Sequence, residues 1–238
     1  NQTERVRYAR NLEDVHAASC RVFAMNSSGR GAIGTGTVCG LIRGKYYILT
    51  NWHVIEGHRN VTLHFFRDGK RFEVKGDVVA SWHNDNQPFD FAVITVSERD
   101  LAPYNPPIVP LAPRGTRPTV GKTILSSGCS EGRWSMAWKG AIESYHGGYG
   151  DNEGNVAIFY PAPKGGQSGS AVVEELDGRL AIVGVLTWRI GDEKSTSEEN
   201  MRGGCIAVAK LYDAFDGKVR SGILDAVPEN ATWCLAET

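Results

Sequence analysis

Six of the ten prolines fall between Ser97 and Pro118, at positions 103, 106, 107, 110, 113 and 118. Proline has no N–H to give a sheet ladder, so this stretch cannot be a regular central strand. It reads as a linker (102–118) between two halves that repeat one pattern: short apolar or alternating runs closed by turn residues. In the first half (14–101) the runs are Val15 to Ala24, Gly34 to Ile42, Tyr47 to Val54, Val61 to Phe66, Arg71 to Lys75, Val78 to Trp82 and Asp90 to Val96. In the second (119–212) they are Thr119 to Ser127, Trp134 to Ser144, Asn155 to Tyr160, Ala171 to Glu175, a run ending at Trp188, and Ile206 to Leu211. Asp68-Gly69 and Asp177-Gly178 are hairpin signals. Short strands at this spacing predict an all-β protein of two barrels. Residues 1–13 read as a polar arm, and 213–238 as a helix and tail, with apolar spacing from Leu211 to Val227 interrupted by Gly217 and Gly222.

One turn carries chemistry. In Pro163-Lys164-Gly165-Gly166-Gln167-Ser168-Gly169-Ser170 the serine sits on a tight Gly-rich turn ahead of an apolar run. A serine hydroxyl becomes a useful nucleophile when a sharp turn presents it, backbone N–H groups converge beside it and a base takes its proton. Gly166 and Gly169 permit the first two. For the base, His53 stands where the run Tyr47-Ile48-Leu49-Thr50 ends, and Asp90 opens the buried run Phe91 to Val96, where it can orient an imidazole. Asp85 is better explained as a turn former within Asn84-Asp85-Asn86. His58 lies off the spacing that would bind a metal with His53, and His16, His64, His83 and His146 show no partner in sequence.

The ordered Thr50-Asn51-Trp52-His53, Asp90-Phe91-Ala92 and Gly166-Gln167-Ser168-Gly169 segments, with the later Gly184-Val185-Leu186-Thr187-Trp188 strand, resemble the chymotrypsin-like serine proteases over roughly residues 15 to 212. The resemblance implies two six-stranded antiparallel Greek-key barrels with the active site between them, and a short C-terminal helix. It implies a serine endopeptidase with a His53, Asp90 and Ser168 triad, an oxyanion hole from the N–H groups of Gly166 and Ser168, and no cofactor. The alternative is a protease-like binding module that has lost catalysis. The same resemblance implies a substrate-binding surface of Ala162, Pro163, Leu186, Thr187, Trp188, Arg189 and Gly204. Ala162 stands where trypsin-like members carry the aspartate that receives Lys or Arg. Arg189 stands where they carry a glycine, which implies a pocket narrowed to small side chains, or a cation offered to Glu or Gln.

Two departures point away from secreted animal members. Gln167 replaces the aspartate that pairs with a freshly cut N-terminus, and Val54 stands where a disulfide cysteine would follow the histidine. Viral polyprotein-processing or bacterial members are the expected kin, and the chain's start at Asn1 suits excision from a polyprotein. The substrate would then be a peptide or protein, its own polyprotein included. The five cysteines (20, 39, 129, 205 and 234) have no CxxC spacing, which argues against a zinc knuckle or redox pair, and their odd count leaves at least one thiol free. A net charge of −1 without a dense basic run argues against nucleic acid, and no apolar stretch is long enough to span a membrane.

Overall fold

The computed structural model describes residues 6–147, 154–191, 200–219 and 221–222. Its strands form two closed antiparallel barrels of six, as expected. The first contains β1 (Ser19–Met25), β2 (Gly31–Ile42), β3 (Lys45–Thr50), β4 (Asn60–Arg67), β5 (Lys70–Asn84) and β6 (Phe89–Ser97), in spatial order β1-β2-β3-β6-β5-β4. The second contains β7 (Thr123–Gly128), β8 (Met136–Tyr145), β9 (Val156–Tyr160), β10 (Ala171–Leu176), β11 (Arg179–Ile190) and β12 (Arg202–Ala207), in spatial order β10-β11-β12-β9-β8-β7. Asp68 and Gly69, like Asp177 and Gly178, all have positive φ, the geometry whose twist suits tight hairpins.

Several expectations are corrected. Residues Val15 to Ala18 belong to a helix, α1 (Leu12–Ala18), not to the first strand. Asn11 caps it by accepting the Asp14 N–H at 2.9 Å, and this short polar signal outweighs the alternation that follows. The two runs from Arg71 to Trp82 are one bent strand, β5, whose register shifts between Val78 and Ala80. The closing strand of the second barrel, β12, ends at Ala207, and the C-terminal helix α4 (Val208–Phe215) begins directly after it, before Leu211. Gly217, at φ +79°, stands just past its end. The expected tail beyond 222 and Cys234 lie outside the described residues.

The barrels are tied at several points. The Pro-rich segment after the short helix α3 (Glu98–Leu101) bonds both: Val109 N–H donates to Val38 O at 3.0 Å in the first, and Ala112 N–H to Ile182 O at 2.9 Å in the second. Helix α1 packs against β7 and β8, where His16 Nδ1 meets Ser127 Oγ at 3.0 Å. Helix α4 leaves the second barrel and returns to the first, with Phe215 edge-on to Trp82 and the Lys210 ammonium over the Phe89 ring. Cys20, Cys129 and Cys205 are buried free thiols, and Cys39 is buried with its Sγ donating to Tyr47 O at 3.5 Å. Among the described residues no helix is long and apolar enough to cross a membrane.

Candidate active site

His53 lies on a single helical turn, α2 (Trp52–Ile55), which the buried Val54 and Ile55 anchor to the first barrel. Asp90 lies near the start of β6 and holds His53 twice. Its Oδ1 accepts the His53 backbone N–H at 2.9 Å, and its Oδ2 lies 2.6 Å from the ring Nδ1. Its side chain is 13% exposed against 38% for His53, so the imidazole reaches solvent while its partner stays inside. A carboxylate so placed fixes the tautomer that leaves Nε2 free to accept a proton. Asn51 supports the pair by donating from Nδ2 to the Asp90 carbonyl at 2.8 Å and to Thr187 Oγ1 at 3.3 Å. Trp52 stacks on His83 with ring centroids 3.6 Å apart, forming an aromatic wall on the turn that bears His53.

Ser168 lies on the loop between β9 and β10, pressed against the first barrel. A Cβ on Gly169 would collide with Thr35 O and Thr50 Oγ1, and φ +93° there excludes most side chains, so only glycine permits this approach. Gly34 lies between the Val54 side chain and the Ser168 carbonyl and is as tightly confined. Ser168 is partly exposed beside the His53 turn, and no hydrogen bond joins its hydroxyl to the ring among the described residues. Such bonds commonly tighten only when substrate is bound.

The loop's own hydrogen bonds are asymmetric. Every carbonyl from Lys164 to Ser168 is taken: Lys164 O by Gln167 N–H, Gly165 O by Glu131 N–H, Gly166 O by Thr35 Oγ1, Gln167 O by Ser170, and Ser168 O by Thr35 N–H. The N–H groups of Gly166 and Ser168 have no partner among the described residues. Open backbone donors beside a hydroxyl are the groups that stabilisation of an oxyanion requires. Gln167 is buried and accepts the Lys164 N–H at 2.8 Å through Oε1, so its amide serves the loop itself.

The expected substrate-binding residues divide. Leu186 and Thr187 are buried, and the Leu186 backbone binds Gly169 and Ser170, while Thr187 Oγ1 donates to Val185 O. Trp188 is half-buried and Arg189 exposed. Gly204 faces Ile190 Cδ1 and Trp188 Cε3, which would lie 2.8 Å and 3.2 Å from a Cβ there. Ala162 lines a cavity of about 290 Å³ with Met136, Trp138, Pro161, Lys164 and Gln167, and Pro163 is buried beside it. Among the described residues no group of three or more His, Cys, Asp or Glu is gathered as a metal site requires.

Thr35, Asn51 and Glu131 were not singled out from sequence. Their parts come from contacts across 15 to 136 positions of chain, and a Gly-Thr-Gly run or a lone Asn carries no local signal for them. Arg21 belongs with them: its Nη1 donates to Gly132 O at 2.6 Å, bracing from the first barrel the turn whose Glu131 N–H holds Gly165 O.

The double barrel brings a histidine–carboxylate pair on the first barrel and a serine on a tight turn of the second to the side where the two meet. Residues 34–185 match the trypsin-like peptidase domain family, and the chain belongs to it. It is a chymotrypsin-like serine endopeptidase. Among solved structures it is similar to the serine endoprotease from Yersinia pestis, with a TM-score of 0.60 and 19% identity over 89% of this chain and 67% of that one. It is also similar to the Rv3671c protease in its inactive form, with a TM-score of 0.57 and 20% identity over 87% and 91% of the two chains. No curated protein matches the chain.

Proposed function

We propose that the peptidase reaction runs through Ser168 as nucleophile, His53 as general base and Asp90 as the group that orients the imidazole. Ser168 Oγ attacks the scissile carbonyl and His53 Nε2 takes its proton, then passes it to the leaving amine, which departs from an acyl-enzyme. Water activated by the same imidazole hydrolyses the ester and restores Ser168. The N–H groups of Gly166 and Ser168 receive the oxyanion in each half, each donor lowering the barrier by about 3 kcal/mol. The first barrel thus supplies the base and its orienter, and the second the nucleophile. The observation that carries the reading is the pattern at the Ser168 loop, where every carbonyl is held and two N–H groups stay open.

A fluorophosphonate probe tests it. Wild type should gain one adduct on Ser168, and Ser168→Ala should lose both labelling and peptide cleavage by at least about a thousandfold while melting normally. A well-folded wild type without an adduct would favour the silent binding module instead. That module is opposed by the presence of every group the chemistry needs.

The substrate is a polypeptide, with small side chains before the cut bond. Ile190 and Trp188 cover the face that Gly204 opens, and Ala162 offers no buried anion for Lys or Arg. Arg189 is exposed, which favours the narrow pocket over an inward guanidinium. A peptide series varied at that residue should favour Ala, Val or Thr, and preference for Phe, Tyr, Lys or Arg would refute it. Polyprotein processing remains the narrower reading; it rests only on Gln167 and the missing flanking cysteine. Nucleic acid has no basic surface run to bind.

A further inference from the structure

The oxyanion site belongs to the second barrel, yet the residue with most control over its backbone belongs to the first. Thr35, on β2, is fully buried and makes four hydrogen bonds. Its N–H donates to Ser168 O at 2.8 Å, and its hydroxyl donates to Gly166 O at 2.9 Å while accepting the Cys129 N–H at 3.0 Å. Its own carbonyl accepts from Thr50 Oγ1 at 2.8 Å, on the strand that leads to His53.

Peptide planes explain the consequence. The two open donors belong to the peptide units 165–166 and 167–168, and the Gly166 carbonyl belongs to the unit between them. With Gly166 at φ +89°, where glycine has wide freedom, that middle unit can rotate and swing either donor away from the oxyanion position. The Gln167 N–H of that unit bonds Lys164 O at 3.2 Å within the loop, and the Thr35 hydroxyl holds its other end by the Gly166 carbonyl, anchoring it to the first barrel; through Cys129 N–H it also holds the turn that carries Glu131. We infer that Thr35 is a positioning residue by which the N-terminal barrel sets the oxyanion hole, so that the hole forms only when the two barrels are in register. This rests on the assignment of Gly166 and Ser168 as oxyanion donors.

The hydroxyl can be removed at nearly constant shape. Thr35→Val should lower kcat by about 10- to 100-fold, less than or near the effect of losing one donor outright, with KM within about twofold. The affinity of a peptide boronate, which places an anion in the hole, should fall by the same factor as kcat/KM. Thr35→Ser keeps the hydroxyl and should restore most of the activity. If Thr35→Val does not fold, Thr35→Ala replaces it, compared with Thr35→Ser at matched melting temperature.

Wild-type kcat in the folded Val or Ala variant would overturn the proposal. So would an equal loss in Thr35→Ser, which would mean that packing, not the hydroxyl, matters. A loss confined to KM would also overturn it. Failure of the underlying active-site assignment looks different: wild type would then take no phosphonate on Ser168, whatever Thr35 does.

Discussion

The two barrels share a topology but are not equally closed. The first seals along β1 and β4 over four residue pairs, from Cys20 opposite Phe65 to Phe23 opposite Thr62. The second seals between β7 and β10 at the pair Val173 and Leu125, reinforced by Ser126 Oγ donating to Ala171 O at 2.7 Å. Their buried polar groups differ as well. In the first, Thr35, Thr50 and Asn51 gather on the side facing Ser168, and each works on the site. In the second, the carboxylate of Glu174 is fully buried in the barrel wall, away from that chemistry. The lesson is that the first barrel is the template, and the Ser168 loop of the second borrows its shape from it.

The largest expected effect tests whether the first barrel contributes chemistry or only support. Asp90→Asn keeps the size of the side chain and one acceptor oxygen, but can no longer fix the imidazole tautomer. It should lower kcat by about 10⁴-fold with an unchanged circular dichroism spectrum. A loss below about tenfold would reduce the first barrel to a scaffold.

A matched pair of core truncations sharpens the comparison. Phe65 in the first barrel and Phe159 in the second are both fully buried, the one against Tyr104 and the other against Trp138. Truncation to alanine should cost about 3–5 kcal/mol at either site, or roughly 6–20 °C in Tm for a chain of this size. The segments that bond both barrels predict a single calorimetric transition in both variants. Two separated transitions in Phe159→Ala would show the barrels to be independent, and would remove the basis for a template role.

What was legible in the sequence divides along physical lines. The β architecture was readable because strand alternation and Asp-Gly turns are local signals, and the Pro-rich segment excludes a strand by composition. Helix α1 was missed because Ala18, Cys20, Val22 and Ala24 alternate as a strand does and the run was carried back to Val15, and the deciding feature was the Asn11 cap with Asp14 reaching back to Arg10 N–H at 2.8 Å. At the site, His53, Asp90 and Ser168 stood out because their chemistry is rare at strand ends. Thr35, Arg21 and Asn51 did not, because a threonine in a strand or an arginine on a barrel has many uses. Their meaning arises only where Gly166 O, Gly132 O or Asp90 O comes within reach.

The smallest effect concerns pH, and here the barrels should respond with opposite sign. Glu174 Oε1 accepts the Thr119 N–H at 2.9 Å, while its buried Oε2 has no hydrogen-bond partner among the described residues. Burial raises its pKa above the usual carboxylate value, against the opposing effects of that N–H and of Lys122. Below the unfolded value near 4.5 both states hold the proton and the group has no effect. As pH rises the unfolded chain ionises first, so stability is lost until pH passes the folded value. Glu174→Gln should therefore gain in Tm over wild type as pH climbs from 4 to 7. His64, on β4, behaves in the reverse sense. Burial lowers its pKa, opposed by the hydrogen bond from its ring to Glu73, while its Nδ1 accepts from Arg21 at 3.0 Å. The unfolded chain takes up a proton first as pH falls through 6.5, so its contribution is complete above that value and is lost toward the lowered folded value. His64→Gln should narrow the Tm difference between pH 7 and pH 5 that wild type shows. Each is a difference between variant and wild type across pH, so any constant cost of the amide cancels. A Glu174→Gln difference that is flat with pH would remove the buried charge from the account of the second barrel, and a flat His64→Gln difference would do the same for the first.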